Sequence, residues 1–254
     1  MTSPVLSLLA DRTSADAVGP LITYYDDATG ERTELSAVTL TNWVAKTANL
    51  LREGLDVEPG HRVAVLLDPH WQAAAVLLGA WANGAVVTET LPAQVLAVPE
   101  SRMLHFHDDE SAVHILGLSL HPLGGRLAHP APATTDYAAE VPVYADDFTP
   151  YAPIDADAPA LVVGDLRWSA AELAHTAREL AGRLGLTRAD RLLVDIGTGL
   201  EAGPVAWLLA PLAVGASIVL CANVDQDKLA HRAASERVTV TLGLTLDGVR
   251  SAGS

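Results

Sequence analysis

The chain repeats itself once, at an offset near 130 residues, and this duplication limits the fold more than any other feature. "ELSAVTLTNWVAKTANLLREGLDVEPGHRVAVLL" and "RWSAAELAHTARELAGRLGLTRADRLLVDI" place Ser36 opposite Ser169 and Leu40 opposite Leu173. Arg62 then matches Arg191, and Gly84 in "LLGAWANGAVV" matches Gly215 in "LLAPLAVGASIV". A period this long excludes a solenoid, whose repeats span roughly 20–50 residues, and points to two similar lobes. We place the first lobe at 1–120, a connector at 121–160 and the second lobe at 161–254.

Both copies read as strand–helix alternation. Leu40, Trp43, Val44, Thr47, Ala48 and Leu51 recur at helical spacing behind Ser36, a candidate N-cap. Leu173, Ala177, Leu180, Ala181 and Leu184 do the same behind Ser169, which forms a capping box with Glu172. "RVAVLL" and "RLLVDI" read as strands buried on both faces, as in parallel sheets. The class is therefore α/β: two similar lobes with mostly parallel sheets and helices packed on both faces. Residues 121–160 hold 7 of the 15 prolines, and no Lys or Arg occurs between Arg126 and Arg167, so the connector is stiff and acidic.

Composition narrows the function classes. Half the residues are hydrophobic and 19% are charged, as in a compact globule. The net charge of −15 repels polyanions and there is no basic stripe, which argues against nucleic acid. No charged residue occurs between Asp68 and Glu89 or between Glu201 and Asp225. Gly84 and Gly215 interrupt these stretches, so each reads as a buried helix, a stop and a strand, not as a membrane span. The N-terminus lacks the basic start of a secretory signal. The single cysteine, Cys221, cannot form an internal disulfide, so the expected compartment is the reducing cytoplasm.

Few motifs carry chemistry. "DIGTGLEAG" follows a strand and opens a helix, so Gly197, Thr198, Gly199 and Gly203 are candidates for binding a cofactor or anion through backbone N–H groups. The glycine spacing is not that of a dinucleotide fingerprint, and a tight strand-to-helix turn is the default reading. In open α/β sheets ligands sit at the carboxyl ends of strands, which adds Asp195 and, from the matching "DPHWQ", Asp68 and His70 as cleft candidates. His121, before a Pro and two glycines, is a fourth. His105, His107, Asp108, Asp109 and His114 crowd "HFHDDESAVH", but their spacing fits no metal site, and no metal is expected. No serine lies in a nucleophile elbow.

The stretches "LITYYDDATGERTELSAVTL", "GHRVAVLLDPH", "LLGAWANGAVV", "MLHFHDDESAVHIL", "ADRLLVDI" and "LAHRAASERVTVTLG" together resemble the N-terminal region of the adenylate-forming, AMP-binding superfamily, which includes the acyl-CoA synthetases. The chain is most similar to short, uncharacterised AMP-binding-like proteins. The resemblance implies a Ser/Thr-Gly-rich loop ending in Pro-Lys-Gly that holds the phosphates of ATP. At that junction the chain has only Gly164 and Asp165, and its two lysines, Lys46 and Lys228, lie elsewhere. The family's aromatic-histidine turn maps its histidine onto Leu200, and the later motifs and lid would fall beyond Ser254. The expectation is a degenerate, non-catalytic relative with no cofactor of its own, a pseudoenzyme binding a small acyl or nucleotide-like ligand or a protein partner. The alternative is one half of a split ATP-dependent ligase completed by another chain. A homo-oligomer is compatible with either.

Overall fold

The structure, a computed structural model, describes residues 3–106, 111–121 and 123–252. The chain opens with helix α1 (Pro4–Ala15), the hairpin β1 (Pro20–Asp26) and β2 (Glu31–Ser36), and helix α2 (Ala37–Asn49), which widens into a π-type turn at Leu50–Gly54. β3 (Arg62–Val65), α3 (Trp71–Ala82), β4 (Val86–Thr88), β5 (Ala93–Pro99) and the short α4 (Glu100–Met103) follow. Next come β6 (Ala112–Leu118), β7 (Thr134–Asp136) and α5 (Tyr137–Glu140). A second hairpin, β8 (Pro159–Val163) and β9 (Leu166–Ser169), leads into α6 (Ala170–Arg183) and β10 (Arg191–Asp195). The chain continues through α7 (Ile196–Pro204), α8 (Ala210–Val214), β11 (Ser217–Ala222), α9 (Gln226–Ser235), β12 (Val240–Leu242) and β13 (Arg250–Ser251).

These strands form two mostly parallel sheets, ordered β7-β6-β5-β3-β4-β8-β9 and β13-β12-β10-β11-β1-β2. Only the two hairpins, β1–β2 and β8–β9, pair antiparallel. The α/β class read from the sequence is what the structure has. The duplicated elements take equivalent places: the run β5-β3-β4-β8-β9 in one sheet answers β12-β10-β11-β1-β2 in the other.

The hairpins, however, are exchanged. β1 pairs parallel with β11, from Ile22 opposite Ile218 to Asp26 opposite Ala222. β8 pairs parallel with β4, at Val87–Leu161 and Thr88–Val162. The compact units therefore interleave along the chain. One comprises residues up to Ser7 with Thr41–Leu67 and Gln72–Leu173; the other comprises Leu8–Leu40, Asp68–Trp71 and residues from Ala174 onward. This differs from contiguous lobes at 1–120 and 161–254, because a repeat marks equivalent elements without marking which strand edges pair.

Local chemistry explains the element boundaries. The Ser36 hydroxyl accepts the Thr39 N–H at 3.2 Å, capping α2. Ser169 and Glu172 form the expected capping box, with reciprocal bonds of 2.8 and 3.2 Å. Gly84 (φ +71°) and Gly215 (φ +77°) take the left-handed conformation that ends α3 and α8 before the following strands. All three residues of β4 and five of the six in β11 are buried, as the continuous apolar runs require.

By length and composition, one run among the described residues could cross a membrane, Ile196–Val214. It is not one continuous helix. Gly203 adopts φ 75° and ψ 173°, non-helical values, and Pro204 restarts the helix behind it. Ala206, Trp207, Leu208, Leu209, Ala210 and Leu212 of this run are buried in the protein.

Candidate functional site

β1, β10, β11 and β12 run parallel, so the carboxyl ends of all four open on one edge of the six-stranded sheet. That edge is where an α/β sheet offers a ligand site. Asp195 ends β10 and caps α7: its Oδ2 accepts the Thr198 N–H at 2.9 Å and the Thr198 hydroxyl at 3.1 Å. A carboxylate therefore already stands where the first-turn N–H groups would meet an anion. Gly197 is exposed beside it. Gly199 is buried for packing reasons, since a Cβ there would sit 3.0 Å from Val194 Cγ1 and 3.2 Å from Pro69 Cγ. The Thr198 side chain lies over Gly243, at whose Cβ position there is no free space.

The segment Asp68–Trp71 belongs to the same unit. Asp68 is exposed, whereas the His70 ring is only 1% exposed. It packs edge-on against Tyr24 at 4.4 Å and tilted against Trp71 at 5.6 Å. Burial pushes the Tyr24 phenol up to about 12, with the charges of Asp26 and Asp68 adding to the shift. Asp26, Asp68 and Asp195 thus give this edge a negative field, and none of the three is ion-paired among the described residues.

The structure brings together six of the sequence candidates here: Asp68, His70, Asp195, Gly197, Thr198 and Gly199. Gly203 lies at the far end of α7 as its breaking point. His121 belongs to the other unit and acts locally in a turn, its Nδ1 accepting the Leu123 N–H at 3.2 Å. Among the described residues no group of three or more His, Cys, Asp or Glu is placed to hold a metal ion. His107, Asp108 and Asp109 lie outside the described residues.

The Gly164-Asp165 junction is a two-residue hairpin loop, with Val163 paired directly to Leu166. Gly164 has φ +56° and Asp165 has no positive φ, the pattern of a type II′ turn with glycine first. Neither lysine serves it. Lys46 donates to the Tyr144 carbonyl at 2.5 Å, and Lys228 pairs with Asp225 at 3.2 Å.

Behind the edge lies a buried ionic network that no sequence motif marks. Arg232 of α9 grips the Asp27 carboxylate with both side chains about 5% exposed, and its guanidinium lies 4.3 Å from the Tyr25 ring centroid. Glu236 is shared by Arg191, by Arg32 at 3.0 Å and by the Tyr25 hydroxyl at 2.5 Å. Burial pushes the neighbouring Cys221 thiol up to about 11, so it is an inert core group.

Solved structures share this architecture. The acyl-CoA synthetase of Brucella canis superposes with a TM-score of 0.75 at 17% identity, over 96% of this chain and 47% of that one. A benzoate CoA ligase from Burkholderia xenovorans gives 0.73 at 19% identity, over 96% and 50%. The chain thus has the fold of the N-terminal region of the AMP-binding superfamily and spans about half the length of these ligases. No protein-family profile matches it. A TIGR03089 family protein of Mycobacterium tuberculosis is 44% identical over 253 residues, covering 95% of this chain and 100% of that protein. The chain belongs to that family.

Proposed function

We propose that this protein is a non-catalytic member of the adenylate-forming fold, whose strand-end site receives an uncharged acyl-like ligand in place of ATP. One observation carries the reading: Gly164 and Asp165 close β8 onto β9 with no intervening residue. A triphosphate needs a run of exposed N–H groups and a cation, and losing even one preorganised donor costs about 10²–10³ in rate. The acidic edge formed by Asp26, Asp68 and Asp195 supports the same reading, because it repels a phosphate. An uncharged group escapes that penalty.

Thermal unfolding of the pure chain with ATP–magnesium, adenosine, acyl-CoA and fatty amides separates the ligand classes. A bound ligand at 100 times its Kd adds about 2.7 kcal/mol of stability. Stabilisation by the amides and none by ATP is the expected outcome. Carboxylate-dependent ATP–pyrophosphate exchange by the chain alone would end the non-catalytic reading. Exchange that appears only when a second, lysine-bearing chain is added would favour half of a split ligase.

A further inference from the structure

We propose that residues 141–158 form a docking strap for a lysine- and arginine-rich amphipathic segment of another protein. The strap belongs to the unit of the seven-stranded sheet and lies along α2, which holds it by its backbone. Lys46 reaches the carbonyls of Tyr144 and Pro142, at 2.5 and 3.4 Å. Asn49 Nδ2 donates to the carbonyls of Ala145 and Asp147, at 3.0 and 2.9 Å. Arg52 donates to the Thr149 carbonyl at 2.8 Å. These three side chains recur every third residue on one helix face, so the strap is fixed along about two turns.

Val141 is buried, but anchoring by carbonyls leaves other side chains of the strap exposed. Val143 is 77% exposed and Tyr151 85% exposed, two large apolar groups carried on one anchored segment. The Arg52 guanidinium lies over the rings of Phe148 and Tyr151, at 4.6 and 4.2 Å, a cation–π contact that gives the exposed Tyr151 a partner. Glu140, Asp146, Asp147, Asp155 and Asp157 are exposed around these anchors. None forms an ion pair among the described residues. The strap carries no Lys or Arg of its own, none lying between Arg126 and Arg167, and the nearby Lys46 and Arg52 donate to its carbonyls rather than to these carboxylates.

Charge complementarity selects the occupant. A second copy of a chain carrying −15 would bring like charge to this surface, whereas a cationic amphipathic segment brings both the apolar contacts and the counter-charge. The lowered entropy cost of docking on a pre-ordered strap favours such a complex.

The test is fluorescence anisotropy of a labelled 16-residue leucine–lysine helical peptide titrated with the full chain at physiological salt. Val143→Ser with Tyr151→Ser should weaken binding roughly tenfold or more without altering charge. Asp146→Asn with Asp147→Asn and Asp155→Asn should weaken it comparably. A control that neutralises three exposed carboxylates outside the strap, Asp11→Asn, Glu179→Gln and Asp227→Asn, should change it less than about twofold, the scale of screened surface charge. Thermal unfolding of each variant confirms that it folds. Equal losses in strap and control variants, or unchanged binding by the Val143–Tyr151 variant, would overturn the proposal. A concentration-dependent dimer abolished by the same pair would overturn it in favour of a second copy.

Discussion

The two sheets are built from the same duplicated elements but secure their borrowed hairpins by different physics. In the six-stranded sheet, hairpin β1–β2 is locked by charge: Asp27 is gripped by Arg232, and Tyr25 and Arg32 converge on Glu236. In the seven-stranded sheet, hairpin β8–β9 buries Ala160 and Leu161 and is held by a neutral side-chain bond, from Trp81 Nε1 to the Ala160 carbonyl at 2.8 Å. Buried charges that lose one partner are far more costly than a lost neutral bond, so the first lock is strong but brittle and the second is weaker but indifferent to pH.

Arg232→Met tests the difference most severely. It strands the Asp27 carboxylate, and chemical denaturation should register a loss of about 3–5 kcal/mol. Acid tests the same lock. The Arg232 hydrogen bond holds Asp27 below its ordinary 3.8. For Glu236 burial works upward, but hydrogen bonds from Tyr25, Arg191 and Arg32 outweigh it and hold the group below its ordinary 4.5. Both contributions are therefore complete above those ordinary values and are lost as the pH falls from them through the lower folded-state values. Hydrogen exchange at decreasing pH should show β1 and β11 amides losing protection before those of β3 and β4. The reverse order would break the comparison.

On the neutral side, Trp81→Phe removes the donor to a buried carbonyl and should cost about 1–3 kcal/mol, with no added sensitivity to acid. Gly164→Ala is the mildest probe. A Cβ there meets nothing within 4 Å, so only left-handed strain remains, about 1–2 kcal/mol, read as a small fall in Tm.

Much of the fold was legible in the sequence because its signals are local. Ser169 and Glu172, Pro204 and Gly215 each announce an element boundary through the hydrogen bonds or dihedral angles their side chains permit. The exchange of hairpins was not legible, because β1 meets β11 almost 200 residues away and both copies carry the same pattern. For the same reason Arg232 and Glu236 look like ordinary polar residues of α9 until Asp27 and Tyr25 arrive from the other end of the chain. At the site, Asp195 followed by Thr198 is itself a capping signature, and read that way it would have shown the glycine-rich turn to be internally satisfied. His121 could not be separated from the edge residues by sequence, since a histidine that accepts from a turn N–H and one that lines a cleft occupy identical strings.

The exchanged hairpins also govern when the protein can fold during synthesis. As the chain leaves the ribosome, β3 and β4 emerge early, yet the open edge of β4 stays unsatisfied until Pro159–Ser169 has been made. β1 and β2 emerge earlier still and must wait for Ser217–Ala222. Neither hairpin finds its sheet at once, so β4 shows an unpaired edge until Ser169 has been made and β1 lacks its parallel partner until Ala222 follows.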